Sequence, residues 1–182
     1  MHLNRLLSVT LTAIFTATAF GQAGITHSQM NLRPAAGMER LTAGETVSAS
    51  AVRAMERDAF DLINATRANV GLPSLKWSDK VAEVARVHSN SMANLNFFSH
   101  RGLDGSMVDD RAAQLKMGTW NAIGENIAFL KGFPNPVEIA VEKWLKSTAH
   151  KQNLLDPSWT ETAIGLAVSA DGKYYFTQVF IR

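Results

Sequence analysis

The chain has 182 residues, with 18 Lys and Arg against 16 Asp and Glu and no cysteine. That length fits one domain with an extra segment. A net charge of +2 without any Lys/Arg-rich run offers no footing for nucleic acid, and the missing cysteine excludes disulfides, thiolate zinc sites and cysteine nucleophiles.

Arg5 precedes an uncharged apolar stretch from Leu6 to Phe20 that is short for a bilayer span. Small residues, Ala19 and Gly21, follow at the positions a signal peptidase reads. Residues 1–21 are therefore expected to be a signal peptide, making the protein secreted or periplasmic with no integral span after cleavage. A retained membrane anchor is the alternative. Residues 22–50 are rich in Ala, Gly, Ser and Thr, have no sustained apolar period, and read as a linker or flexible arm. The folded domain is expected over 51–182.

Within it, Met55, Ala59, Leu62, Ile63 and Thr66 recur at helical spacing, and Gly71 stops that helix. Ser78 is placed to cap a second helix, with Val81, Ala85, His88 and Met92 along one face. Ser106 is placed to cap a third, running to Met117. Asn135, Pro136 and Glu138 form the start of a fourth in a capping-box pattern. A short strand is expected around Ile123–Phe129. Thr162–Val168 and Tyr174–Ile181, joined through Ala170-Asp171-Gly172, predict a β-hairpin, because glycine accepts the positive φ of the turn. Helices and strands are partly segregated, so the class is α+β.

Chemistry concentrates in three places. His100 follows Phe98-Ser99, Glu125 lies in Gly124-Glu125-Asn126-Ile127-Ala128, and His150 lies in Ser147-Thr148-Ala149-His150. Two imidazoles and a carboxylate meeting in one cleft can bind a divalent cation or move protons, although spacing so wide does not itself bring them together. Glu125 has a structural alternative, in which its carboxylate fixes the loop by accepting backbone N–H groups. His88, on an apolar helix face, reads as a buried neutral histidine bonded to a backbone carbonyl. Trp77, Trp144 and Trp159 read as core anchors, and Trp120 as a surface or cleft-rim residue. Neither Ser99 nor Ser147 sits in a nucleophile elbow, which argues against a serine hydrolase.

Taken in order, Ile63-Asn64-Ala65-Thr66-Arg67, Gly71-Leu72-Pro73, Leu75-Lys76-Trp77, Ala85-Arg86-Val87-His88-Ser89, Phe98-Ser99-His100, Gly124-Glu125-Asn126, Trp144, His150 with Asn153-Leu154-Leu155, and Ile164-Gly165-Leu166-Ala167 resemble the CAP superfamily. That superfamily is named for cysteine-rich secretory proteins, antigen 5 and pathogenesis-related proteins, and the likeness is to its bacterial, cysteine-free branch. The resemblance implies a three-layer α-β-α sandwich with a mainly antiparallel central sheet. It also implies a cleft whose tetrad of two His and two acidic residues often binds cations. Here His100, His150 and Glu125 match three corners, and Ser147 stands at the fourth. The ligand set expected is thus His100, Glu125, His150 and Ser147, with zinc or magnesium weakly held by the first three. The leading expectation is a secreted binding module for a divalent cation, a lipid or a cell-envelope component. A peptidase-like hydrolase using His100, Glu125 and His150, and a structural protein with a vestigial cleft, are the alternatives.

Overall fold

The structure, a computed structural model, describes residues 47–182. The expected signal peptide and nearly all of the arm lie outside the described residues. Five helices and four strands follow in the order α1 (Ala49–Asn69), β1 (Lys76–Trp77), α2 (Asp79–Leu95), α3 (Val108–Gln114), β2 (Ile123–Lys131), α4 (Pro136–Lys146), α5 (Thr148–Leu154), β3 (Glu161–Val168) and β4 (Lys173–Ile181).

The strands form one sheet in the order β1-β3-β4-β2. The β3–β4 hairpin and the β2–β4 pair are antiparallel, while β1 pairs with β3 in parallel. Helices α1, α4 and α5 cover one face, and α2 with α3 the other, giving the three-layer α-β-α sandwich. Alternation along the strands feeds both layers. Ile164, Leu166, Ala128, Leu130 and Phe176 pack under α1 and α4 with Ala59, Ile63, Val141 and Trp144. Ala163 and Val179 point the other way, onto Val81, Ala82, Val84 and Ala85 of α2. Each large apolar side chain buried in this way contributes about 1.5–3 kcal/mol.

Helix α1 starts at its cap Ser48, whose hydroxyl accepts the Ala51 N–H at 3.1 Å, so the last residues of the expected arm are already helical. It ends where Gly71 takes φ +78°. Ser78 does stand at the N-cap of α2, though without a side-chain capping bond. The third helix begins later than expected. Ser106 turns its hydroxyl to Asp104 at 2.7 Å, and α3 starts behind Met107, whose N–H is accepted by Asp110 at 2.9 Å. Asn135 and Pro136 start α4 as read, but the Asn135 side chain makes no cap bond. The Asp171-Gly172 turn forms, with Gly172 at φ +76°.

Gly165 sets how closely α2 lies on the sheet. A Cβ there would stand 2.3 Å from the Arg86 backbone nitrogen and 2.4 Å from the Ala85 carbonyl carbon. Glycine lets helix and strand backbones touch, and Ser89 locks the contact through 2.9 Å to the Gly165 carbonyl and 2.8 Å to the Thr177 hydroxyl.

Candidate functional site

β2 is the edge strand of the sheet, and Glu125 leaves it on the α2–α3 face together with Ile127. Its carboxylate is 4% exposed and engaged on both oxygens. Oε2 accepts the Arg111 guanidinium from α3 at 2.6 Å, and Oε1 meets Nδ1 of His100 at 2.8 Å. Arg111, itself 4% exposed, also donates to the carbonyls of His100 (3.2 Å) and Ser106 (3.0 Å). One buried arginine therefore fixes both the carboxylate and the loop that carries the histidine. Its two terminal nitrogens find acceptors while Nε is buried without one, so the pair is held out of water by matched charge and these terminal bonds.

The loop before His100 is tied down from behind. His88, buried on α2, bonds the Ser99 carbonyl through Nε2 at 2.8 Å. Burial holds the His88 pKa below the ordinary histidine value, so its ring is neutral, in keeping with the sequence reading. The His100 side chain is 44% exposed and projects from this support into a cleft.

The other wall comes from the opposite layer. α5 presents His150, whose ring centroid lies 6.4 Å from that of His100 with planes inclined by 33°. Burial, and then the neighbouring His100, lower the His150 pKa. α5 has one buried residue, Leu154, so packing alone does not seat it. Side-chain amides do. Asn126 Nδ2 donates to the His150 carbonyl at 3.1 Å, and Asn153 Nδ2 donates to the Glu125 carbonyl at 3.1 Å and to Asn126 Oδ1 at 3.2 Å. Gly124 leaves room for this: a Cβ there would meet Trp159 at 2.9 Å and Asn153 Oδ1 at 3.0 Å. Ser147 joins α4 to α5, and its side chain makes no bond capping α5.

His100, Ser147 and His150 line one cavity of about 640 Å³ with Phe98, Arg101, Met107, Ile127, Phe129, Lys143 and Trp144. That volume lies within the range of ligand sites, about 300–1,000 Å³. All four expected site residues thus gather at the β2 edge, but Glu125 sits behind His100 rather than facing the cavity. As a metal centre the donor set fits only in part. A carboxylate on Nδ1 orients the imidazole, as carboxylates do behind histidines that ligate metals. Yet only two imidazoles face the cavity, and among the described residues no three His, Cys, Asp or Glu side chains are gathered to hold one ion. Arg111 was not singled out in the sequence, because a helical arginine carries no mark of burial. Trp120 does not line the cavity; it packs against the α2–α3 core.

The chain matches the Cysteine-rich secretory protein family (CAP) over residues 60–180. It is 38% identical over 129 residues to YlbC of Bacillus subtilis (strain 168), described as an uncharacterized membrane protein, covering 70% of this chain and 34% of that one. It is 32% identical over 136 residues to the uncharacterized protein YkwD of the same organism, covering 75% and 50%. The chain thus spans at most half the length of these relatives. Among solved structures, an extracellular protein containing a SCP domain from Bacillus anthracis str. Ames superposes with TM-score 0.62 at 30% identity, over 76% of this chain and 45% of that one. An outer surface protein from Borrelia burgdorferi shares the fold, with TM-score 0.66 at 18% identity over 76% and 98%. No helix among the described residues is long and apolar enough to cross a membrane. With the sandwich, the edge-strand glutamate and the family match in agreement, this cysteine-free chain belongs to the Cysteine-rich secretory protein (CAP) family.

Proposed function

We propose that the chain is an extracellular binding module whose β2-edge cleft captures an anionic, partly apolar ligand such as a cell-envelope component or lipid. The observation that carries this reading is the charge of the cavity wall. Arg101 and Lys143 line it, among the described residues no Asp or Glu does, and the nearby carboxylate of Glu125 is already neutralised by Arg111. Phe98, Met107 and Phe129 supply the apolar part. Sites of this make-up bind by apolar contact and use a few polar groups for orientation.

A divalent cation would be held by His100 and His150 with water completing its shell, and against two neighbouring positive charges it would be held weakly. Bound there, it would supply a Lewis acid beside the cavity. Glu125 would orient His100 rather than coordinate. The hydrolase reading draws support from the same His100–Glu125 bond, since a carboxylate on Nδ1 is how a general-base imidazole is held. Turnover of a broad peptide and ester panel, lost in His100→Ala, would favour it.

Titration calorimetry tests the binding reading with two probes, zinc chloride and a long-chain fatty acid. The fatty acid should bind, and Lys143→Glu should weaken it about tenfold by removing attraction and adding repulsion. Zinc should bind weakly and be lost in the His100→Ala/His150→Ala pair. A fatty acid that ignores Lys143→Glu would sink the anionic-ligand reading.

A further inference from the structure

The outer edge of β2 is only partly closed. Arg182 and Ala122 exchange main-chain bonds at 3.1 and 3.2 Å, so even-numbered residues of this strand pair with β4 and odd-numbered ones turn N–H and C=O outward. The outward carbonyls of Glu125 and Ile127 are taken by Asn153 (3.1 Å) and the Trp144 indole (2.9 Å). Beyond them the closure stops. Among the described residues, no main-chain or side-chain group bonds the outward N–H and C=O of Phe129 or Lys131. Phe129 is 38% exposed and packs between Phe98, 50% exposed, and Tyr175, with ring centroids at 6.0 and 5.3 Å and the planes tilted by 46° and 42°.

We propose that the open β2 edge at Phe129–Lys131 pairs with an extended peptide whose carboxylate reaches Arg101, Lys143 and the two imidazoles. This rests on the anionic-ligand reading above and narrows its ligand class. Three features of one cavity coincide in such a peptide. The open edge supplies main-chain donors and acceptors that a fatty acid or a simple anion would not use. The Phe98–Phe129 shelf takes an apolar side chain. The uncompensated positive wall takes the carboxylate. The length is consistent as well: Phe129 lies four residues from Glu125, about 13 Å along a strand, so roughly four peptide residues connect the edge to the histidines. Trp144 and Asn153 set where pairing must end, because they already hold the next two carbonyls.

The test uses an array of random peptides of about six residues probed with the full-length chain, each peptide made with a free C-terminus and as its amide. Binders are expected only where a carboxylate is present. Neutral peptides with a free terminus and amidated peptides with an acidic residue identify which carboxylate serves. N-methylation at alternate residues of a binder should weaken it about tenfold or more in one register and little in the other, since alternate N–H groups face the edge. Phe129→Pro should weaken binding more than Phe129→Ala, because proline removes an outward N–H that the β2–β4 ladder does not use. Zinc binding should survive Phe129→Pro, and fatty-acid binding should fall no further in Phe129→Pro than in Phe129→Ala, since both lose the same ring and a fatty acid does not use the strand edge. No binder in the array, or equal loss in both N-methyl registers, overturns the peptide assignment. A dimer in sedimentation that Phe129→Pro dissolves would assign the edge to a second copy and overturn it too. If fatty acid binds normally while every peptide fails, the anionic-ligand reading stands without this one; if both fail, neither stands.

Discussion

At each side of the sheet a buried glutamate meets an arginine from the α2–α3 layer, but the two pairs end differently. On the β3 side, β1 covers only Glu161 and Thr162, leaving the strand beyond them without a neighbour strand along that edge. Glu56 of α1 fills that gap. It is 1% exposed, accepts the Leu166 N–H at 3.1 Å, and is gripped by Arg86 from the opposite layer at 2.6 Å and by Arg53 at 3.1 Å. Burial pushes its carboxyl up to about 7 against the pull of the Leu166 N–H and of Arg53. On the β2 side, Glu125 gives one oxygen to Arg111 in the same manner, but gives the other to an imidazole that is half in solvent. Exchanging a second arginine for a histidine turns a seam between layers into a presented nitrogen. The difference separates a device for holding the sandwich together from one that also offers chemistry.

The largest expected effect would test whether the two glutamates do separate jobs. Glu125→Ala leaves the buried Arg111 without its partner and should cost about 3–5 kcal/mol in urea unfolding. Glu56→Ala leaves the partly exposed Arg86 and the buried Leu166 N–H without theirs and should cost about 1–3 kcal/mol. Only Glu125→Ala should also disturb ligand binding under conditions where both proteins remain folded. Equal binding by the two would erase the distinction. Next, Gly165→Ala should lose about 1–3 kcal/mol, since its methyl group must lift α2 from β3 beside the Glu56–Arg86 seam. A neutral result there would mean that the seam can open cheaply.

A smaller, pH-dependent effect belongs to the cleft side. His88 has a native pKa below its unfolded value of about 6.5, so the unfolded chain takes up more protons in that range. Its contribution is present above about pH 6.5 and is lost as pH falls towards the native pKa. The stability advantage of the wild type over His88→Gln should therefore shrink between about pH 7.5 and about pH 5.5, a comparison in which the Glu56 contribution cancels. An advantage that grows towards acid would contradict a neutral His88. The smallest effect is expected at Ser147. With no bond capping α5 to lose, Ser147→Ala should change stability by less than about 0.5 kcal/mol.

What could be read in the sequence divides along the same line. Elements governed by local chemistry were legible: the Asp171-Gly172 hairpin, the apolar face of α2, Pro136 at the head of α4, and His88 as a buried histidine. Elements that exist only through distant contacts were not. β1 is two residues long and is a strand only because β3 lies beside it. α5 buries a single side chain, leaving no period to recognise. His100, Glu125 and His150 were legible as a set through family resemblance, but the position of Glu125 behind His100 depends on Arg111, whose role is decided entirely by where α3 lands. The same holds for Arg86 and Glu56, which are 30 residues apart. Ser78 and Asn135 show the limit from the other side: a residue can stand at the N-cap while its side chain makes no capping bond.

Asn126 adds a mechanical consequence. Its amide spans from β2 to the carbonyl of His150, and through Asn153 it is braced against the same strand. The gap between the two histidine rings is thus gauged by the length of one side chain anchored in the sheet. His100 is referenced to that same strand through Glu125. Both jaws are indexed to β2, so loosening of the helical layers against each other need not change the bite.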